Sequence, residues 1–225
     1  MLGGRAIVLL VSLWNVSAAH AADITGTVEL YTRDGRSVPP VEAQHGVVYF
    51  EPATPEAARP APGTFSISTR DKEFSPRVLA VPAGGTVRFP NADPILHNVF
   101  SVSPGNAFDV GLYGPGEGRA YTFETPGLVR VFCNVHHAMM AYVIVLDTPY
   151  FTRPDPSGAF DLRGLPSGPG RLTVWQERSE AWTQDVVLPL DGPLTVRLLV
   201  TGRRVPKHLD KTGKPYGESG RDRYE

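Results

Sequence analysis

The 225-residue sequence has one cysteine, Cys133, so no intramolecular disulfide can brace it. It has no uninterrupted apolar run of 18 residues, which argues against a membrane-spanning helix. Charge of either sign is not in excess, with 22 Lys and Arg against 23 Asp and Glu, and this argues against a general nucleic-acid binder. No stretch repeats its apolar residues with a convincing helical period. Turn formers are abundant instead: 23 Gly and 22 Pro punctuate short runs of Val, Phe, Tyr, Thr and Leu, a pattern that predicts an all-β chain.

Residues 1–21 read as an export leader. Arg5 supplies the positive start, Ala6 to Ala18 the apolar run, and Ala19-His20-Ala21 the small-x-small cleavage pattern, so the mature chain is expected to begin at Ala22. The expected location is periplasmic. Losing Arg5 with the leader moves the formal charge from −1 to −2.

Three blocks follow. Ile24–Tyr31 and Val47–Phe50 read as strands, and residues 51–63 as a Pro- and Ala-rich linker. Residues 64–148 carry strands at 64–68, 77–81, 86–89, 97–102, 119–123, 128–133 and 141–146. Residues 149–200 continue the pattern at 159–162, 171–175 and 194–198, and the polar tail 201–225 is expected to be disordered or loosely laid on the surface.

The middle block holds the chemistry. Leu128-Val129-Arg130-Val131-Phe132-Cys133 alternates, which puts Val129, Val131 and Cys133 on the core side and brings the thiol in at a strand end. His136 and Met139 follow on the turn, and His97 lies 36 positions upstream at the start of another strand. A thiolate, two imidazoles and a thioether are the ligand set of a mononuclear blue-copper site, intermediate between the geometries that Cu(II) and Cu(I) prefer.

Phe89-Pro90-Asn91, His97-Asn98-Val99-Phe100 and Cys133-x2-His136-x2-Met139 resemble the cupredoxin family over residues 64–148, with the short ligand loop of the amicyanin type. The resemblance implies a Greek-key β-sandwich holding one type 1 copper, with His97, Cys133 and His136 equatorial and Met139 axial. It further implies that the Asn98 amide ties the two ligand loops together near the sulfur. The chain departs from that pattern in having His137 where a proline follows the loop histidine. Because Met140 follows Met139, the axial assignment stays open between them.

Gly26-Thr27-Val28, Val47–Phe50, Ser157–Gly168 and Leu172-Thr173-Val174 resemble the carboxypeptidase regulatory-like, or prealbumin-like, β-sandwich, interrupted here by residues 53–148. Residues 22–52 are too few to bury a core alone, whereas joined to 149–200 they suffice for a smaller second sandwich. The alternative is that the first two strands extend the sheet of the 64–148 block.

The expected function is single-electron transfer between redox partner proteins that dock near His136, through a patch of Pro94, Ile95, Leu96, Ala138 and Met140. Copper binding and delivery without electron shuttling is the alternative. A copper enzyme is not expected, because the paired His-x-His motifs of additional copper sites are missing and no small-molecule substrate is implied. Phe108–Tyr113 reads either as a loop near the copper end, with Tyr113 at a partner surface, or as a plain strand and turn. Trp175 and Trp182 read as core and interface residues, and His45, His137 and His208 as surface histidines.

Overall fold

The computed structural model describes residues 21–54, 61–203, 205 and 207–215. The leader, except for Ala21, lies outside the described residues, as do the middle of the linker and the last ten residues of the tail.

Two strands open the described chain, β1 (Ala22–Tyr31) and β2 (Gly46–Pro52), separated by a 3-10 helix (Pro40–His45). Next come β3 (Thr64–Ser66), β4 (Ser68–Arg70), β5 (Glu73–Ser75), β6 (Val78–Pro82), β7 (Gly85–Asn91), β8 (His97–Ser101), β9 (Phe108–Tyr113), β10 (Gly116–Phe123), β11 (Gly127–Phe132) and β12 (Met140–Leu146). The last are β13 (Phe151–Thr152), β14 (Ala159–Leu165), β15 (Gly168–Gln176), β16 (Trp182–Leu188) and β17 (Leu194–Leu199). The protein is all-β.

Four sheets form from these strands. The sheet ordered β10-β7-β4-β5, with β3 beside β7, faces the sheet ordered β6-β12-β11-β8-β9 across a core that includes Ile67, Val87, Phe89, Phe123, Val129 and Val143. The sheet β14-β1-β17 faces β13-β2-β15-β16 across Ile24, Val28, Phe50, Leu165, Leu172 and Val174. Each fully buried side chain of this size contributes about 1.5–3 kcal/mol.

β1 pairs with β14 and β17, and β2 pairs with β15 from Gly46 opposite Gln176 to Pro52 opposite Gly170. These registers join the first two strands to residues 159–199, and they do not enter the sheets built from residues 64–146.

A third apolar cluster lies between the two pairs of sheets. Met140, Tyr142, Ile144 and Leu146 on one face of β12, with Phe100 and Phe132, meet Val47, Tyr49 and Trp175. The other face of β12 sends Ala141, Val143 and Val145 into the core shared with Cys133. This two-sided burial explains why Met140–Leu146 and Val47–Phe50 read as continuous apolar runs rather than alternating ones. Tyr142 packs edge-on against Trp175 with ring centroids 5.1 Å apart, and Arg77 Nε donates to Glu177 Oε2 at 2.5 Å.

Candidate metal centre

The predicted alternation on β11 is present: Val129 and Val131 are buried on the core side, and Cys133 follows them just past the strand's end with 0% exposure. The chain then turns tightly. Cys133 N donates to Met139 O at 3.2 Å, and Met139 N donates to His136 O at 3.0 Å, so His136 is folded back over Cys133. His97 opens β8, a five-residue strand buried along its whole length, which fixes its backbone.

These elements bring three donor atoms together. His136 Nδ1 lies 3.1 Å from His97 Nδ1 and 3.6 Å from Cys133 Sγ, and His97 Nδ1 lies 3.8 Å from the same sulfur. A triangle with those sides has a point about 2.0 Å from all three corners, where imidazole bonds to a first-row ion such as zinc measure about 2.0–2.1 Å and thiolate bonds about 2.3 Å. The donor set therefore fits one small soft-to-borderline ion. Among the described residues, no other group of three or more His, Cys, Asp or Glu side chains converges in this way.

The two methionines part company. Met139 is 1% exposed and belongs to the same core cluster as Cys133, whereas Met140 begins β12 and points into the cluster between the sheet pairs with Phe100, Phe132 and Tyr142. Of the two, only Met139 shares a core cluster with Cys133.

Asp93, on the turn before β8, was not singled out from the sequence, yet it sits against the site. Its Oδ2 is 2.9 Å from His97 Nε2, and its side chain is 9% exposed. Being an acceptor, the carboxylate receives a hydrogen bond from Nε2–H, which leaves Nδ1 facing Cys133 and His136. Asp93 also accepts from the backbone amides of Asp71 at 2.6 Å and Lys72 at 3.0 Å. Burial raises its pKa, but those two amides and His97 outweigh it and hold the carboxyl below the usual range.

The amides reach Asp93 because the turn between β4 and β5 carries two successive residues with positive φ, Asp71 at 54° and Lys72 at 57°. Non-glycine residues adopt this conformation at a cost, and pairs of them make the tight turn that suits a hairpin.

Asn98 departs from its expected role. Its amide nitrogen donates to Asp109 Oδ1 at 2.6 Å and to Gly111 O at 3.1 Å, so it ties β8 to β9 and does not bridge the two ligand loops. Phe108–Tyr113 is an edge strand with a register shift opposite Val99, and Gly111, at φ 76°, supplies the left-handed residue of that bulge. Its amide also donates to Asp109 Oδ1, at 2.9 Å.

The link to the cysteine loop comes from the tail. Lys211 N donates to Asn134 Oδ1 at 3.0 Å, and Lys211 Nζ pairs with Asp109 Oδ2 at 2.5 Å. His208, expected on the surface, stacks on Phe132 at 4.1 Å, and Asp210 is buried. Over residues 207–215 the polar tail is thus laid against the 64–146 sheets. The particular contacts depend on partners far away in sequence and leave no mark in its composition.

Further corrections concern exposure. Tyr113 is buried, not at a partner surface, and burial, with the nearby Cys133 second, raises its phenol pKa. His136 is 1% exposed, so its ring edge does not project into solvent. Met140 is buried and drops out of the expected surface patch, which leaves Pro94, Leu96 and Ala138 exposed. His137 is exposed as expected.

No family model and no curated protein matches this chain. Solved structures it is similar to include cupredoxins, which match between 36% and 44% of its length. A purple cupredoxin from Nitrosopumilus maritimus shares 24% identity over 37% of this chain and 99% of its own, with a TM-score of 0.33. Amicyanin from Paracoccus versutus shares 24% identity over 37% of this chain and 81% of its own, with a TM-score of 0.35. A pseudoazurin from Sinorhizobium meliltoi shares 20% identity over 39% of this chain and 76% of its own, with a TM-score of 0.30.

Proposed function

We propose that this protein is an exported type 1 copper protein that carries single electrons between redox partner proteins. The observation that carries the reading is the triangle of His97 Nδ1, Cys133 Sγ and His136 Nδ1, fully buried and sized for one ion. Two imidazoles and one thiolate, with the Met139 thioether buried in the same core cluster, favour copper over metals that prefer oxygen ligands or four strong donors. Copper, when bound, supplies a one-electron couple. The residues hold the donors on two strand ends and a short hydrogen-bonded loop, so little has to rearrange between oxidation states.

Partners dock, on this reading, at the exposed Pro94, Leu96 and Ala138 close to the ligand loops, with electrons passing through the buried His136. The second pair of sheets, read as a prealbumin-like sandwich discontinuous over 22–52 and 149–200, serves as a platform. It is fixed to the copper-bearing sheets by the Tyr142 and Trp175 contact. The leader at 1–21 supports a periplasmic location.

The test is stopped-flow oxidation and reduction of the copper-loaded mature chain with small inorganic redox reagents. Fast, reversible, one-electron cycling at one copper per chain is the expected result. Tight Cu(I) binding with no accessible Cu(II) form would instead identify a copper-delivery protein.

A further inference from the structure

We infer that Asp93 is a positioning residue that biases the centre toward its oxidised state, an inference that rests on the copper reading above. Its carboxylate is nearly buried and bonds the far nitrogen of His97 at 2.9 Å. It is itself held by three N–H donors, His97 Nε2 and the amides of Asp71 and Lys72. The left-handed pair at 71 and 72 forms the hairpin turn whose amides aim at this oxygen pair.

The charge balance gives the direction. With the thiolate of Cys133 and the carboxylate of Asp93 both anionic and buried, a divalent ion makes the centre neutral, whereas a monovalent one leaves it carrying a net negative charge. In a weakly screened interior the neutral state is favoured. The hydrogen bond adds to this by making His97 Nδ1 a stronger donor, and stronger donors favour Cu(II). Asp93 also fixes which nitrogen of His97 faces the metal, because a ring whose Nε2–H donates to a carboxylate cannot turn over without losing that bond.

Two variants test this, Asp93→Asn and Asp93→Ser. Each removes the charge; the asparagine keeps one oxygen that can accept from one of the two turn amides, and the serine keeps neither. The readouts are the reduction potential of the copper-loaded protein and, without copper, the 15N NMR tautomer of His97. The expected result is a blue, folded variant whose preference for Cu(II) over Cu(I) falls about tenfold, a rise of about 59 mV, and a His97 that is no longer locked as the Nε2–H tautomer. A folded, blue variant with unchanged potential and tautomer overturns the inference, and so does failure of both variants to fold, which would make Asp93 a folding residue only. A parent protein that binds copper without the blue colour sinks the copper reading itself, and the NMR arm tells the two failures apart.

Discussion

His97 Nδ1 and His136 Nδ1 face each other at 3.1 Å in a fully buried setting, although 39 residues separate them. Two imidazole nitrogens approach so closely when one donates a proton to the other or when both turn lone pairs toward a shared cation. Because His97 donates from its far nitrogen, Nε2, to Asp93, the Nδ1 lone pair of His97 is already committed to this meeting point. Replacing His136 by Ala should weaken copper binding by more than about 100-fold, since a ligand matters more than the outer partners whose loss costs 10–100-fold. Circular dichroism should still report a β-sheet fold. Unchanged affinity in a competition titration would remove His136 from the site.

The neighbouring methionines give a paired test. Met140 is packed among Phe100, Phe132 and Tyr142, so Met140→Ala should cost about 2–5 kcal/mol in a denaturant melt and leave the copper spectrum alone. Met139→Leu conserves volume and should cost less than about 1.5 kcal/mol. It removes a weak sulfur donor, and the potential should rise. Reversed effects would mean that the axial donor is Met140.

The tail provides a stability prediction. Lys211 and His208 contribute an exposed ion pair, a hydrogen bond to Asn134 and a ring stack on Phe132. An exposed pair is worth about 0–1 kcal/mol and a ring stack about 0.5–1.5 kcal/mol. Truncation after residue 206 should therefore lower the melting temperature by about 1–10 °C. No change in the melt would show that the segment does not brace the cysteine loop.

Acid should loosen the same region. Burial raises the Asp109 pKa, but Lys211, the Gly111 amide and Asn98 together hold it below the ordinary carboxylate value. A carboxyl depressed in the folded state adds stability above its unfolded pKa of about 3.9, and that stability is lost as pH falls through the folded value. Between pH 6 and pH 3 the parent's melting temperature should drop more steeply than that of Asp109→Asn. Parallel curves would discard this account.

Much of this was legible in the sequence, for identifiable reasons. The strand leading to Cys133 sends Val129, Val131 and the cysteine to one core, while Phe132 on its other face packs into the cluster between the sheet pairs, and the ligand spacing places His136 and Met139 on one short turn. Legibility failed where the structure depends on distant partners. β16 was missed because only Val186 and Leu188 of its seven residues are buried, and the 3-10 helix is too short to show a period. Asp93 looked like a turn residue, since the Asp71 and Lys72 amides that hold it are some 20 residues away. The Asn98 amide was assigned to the wrong partner because the Gly111 bulge, which re-aims β9 toward it, leaves no periodic signal.

The most direct test is the visible absorption and EPR spectrum of the mature chain loaded with one equivalent of Cu(II), recorded beside Cys133→Ser. The account predicts an intense thiolate-to-copper band in the parent that bleaches on reduction, returns on oxidation and is lost in a variant that remains folded. A pale Cu(II) spectrum in the parent, or one that the serine variant reproduces, would contradict it.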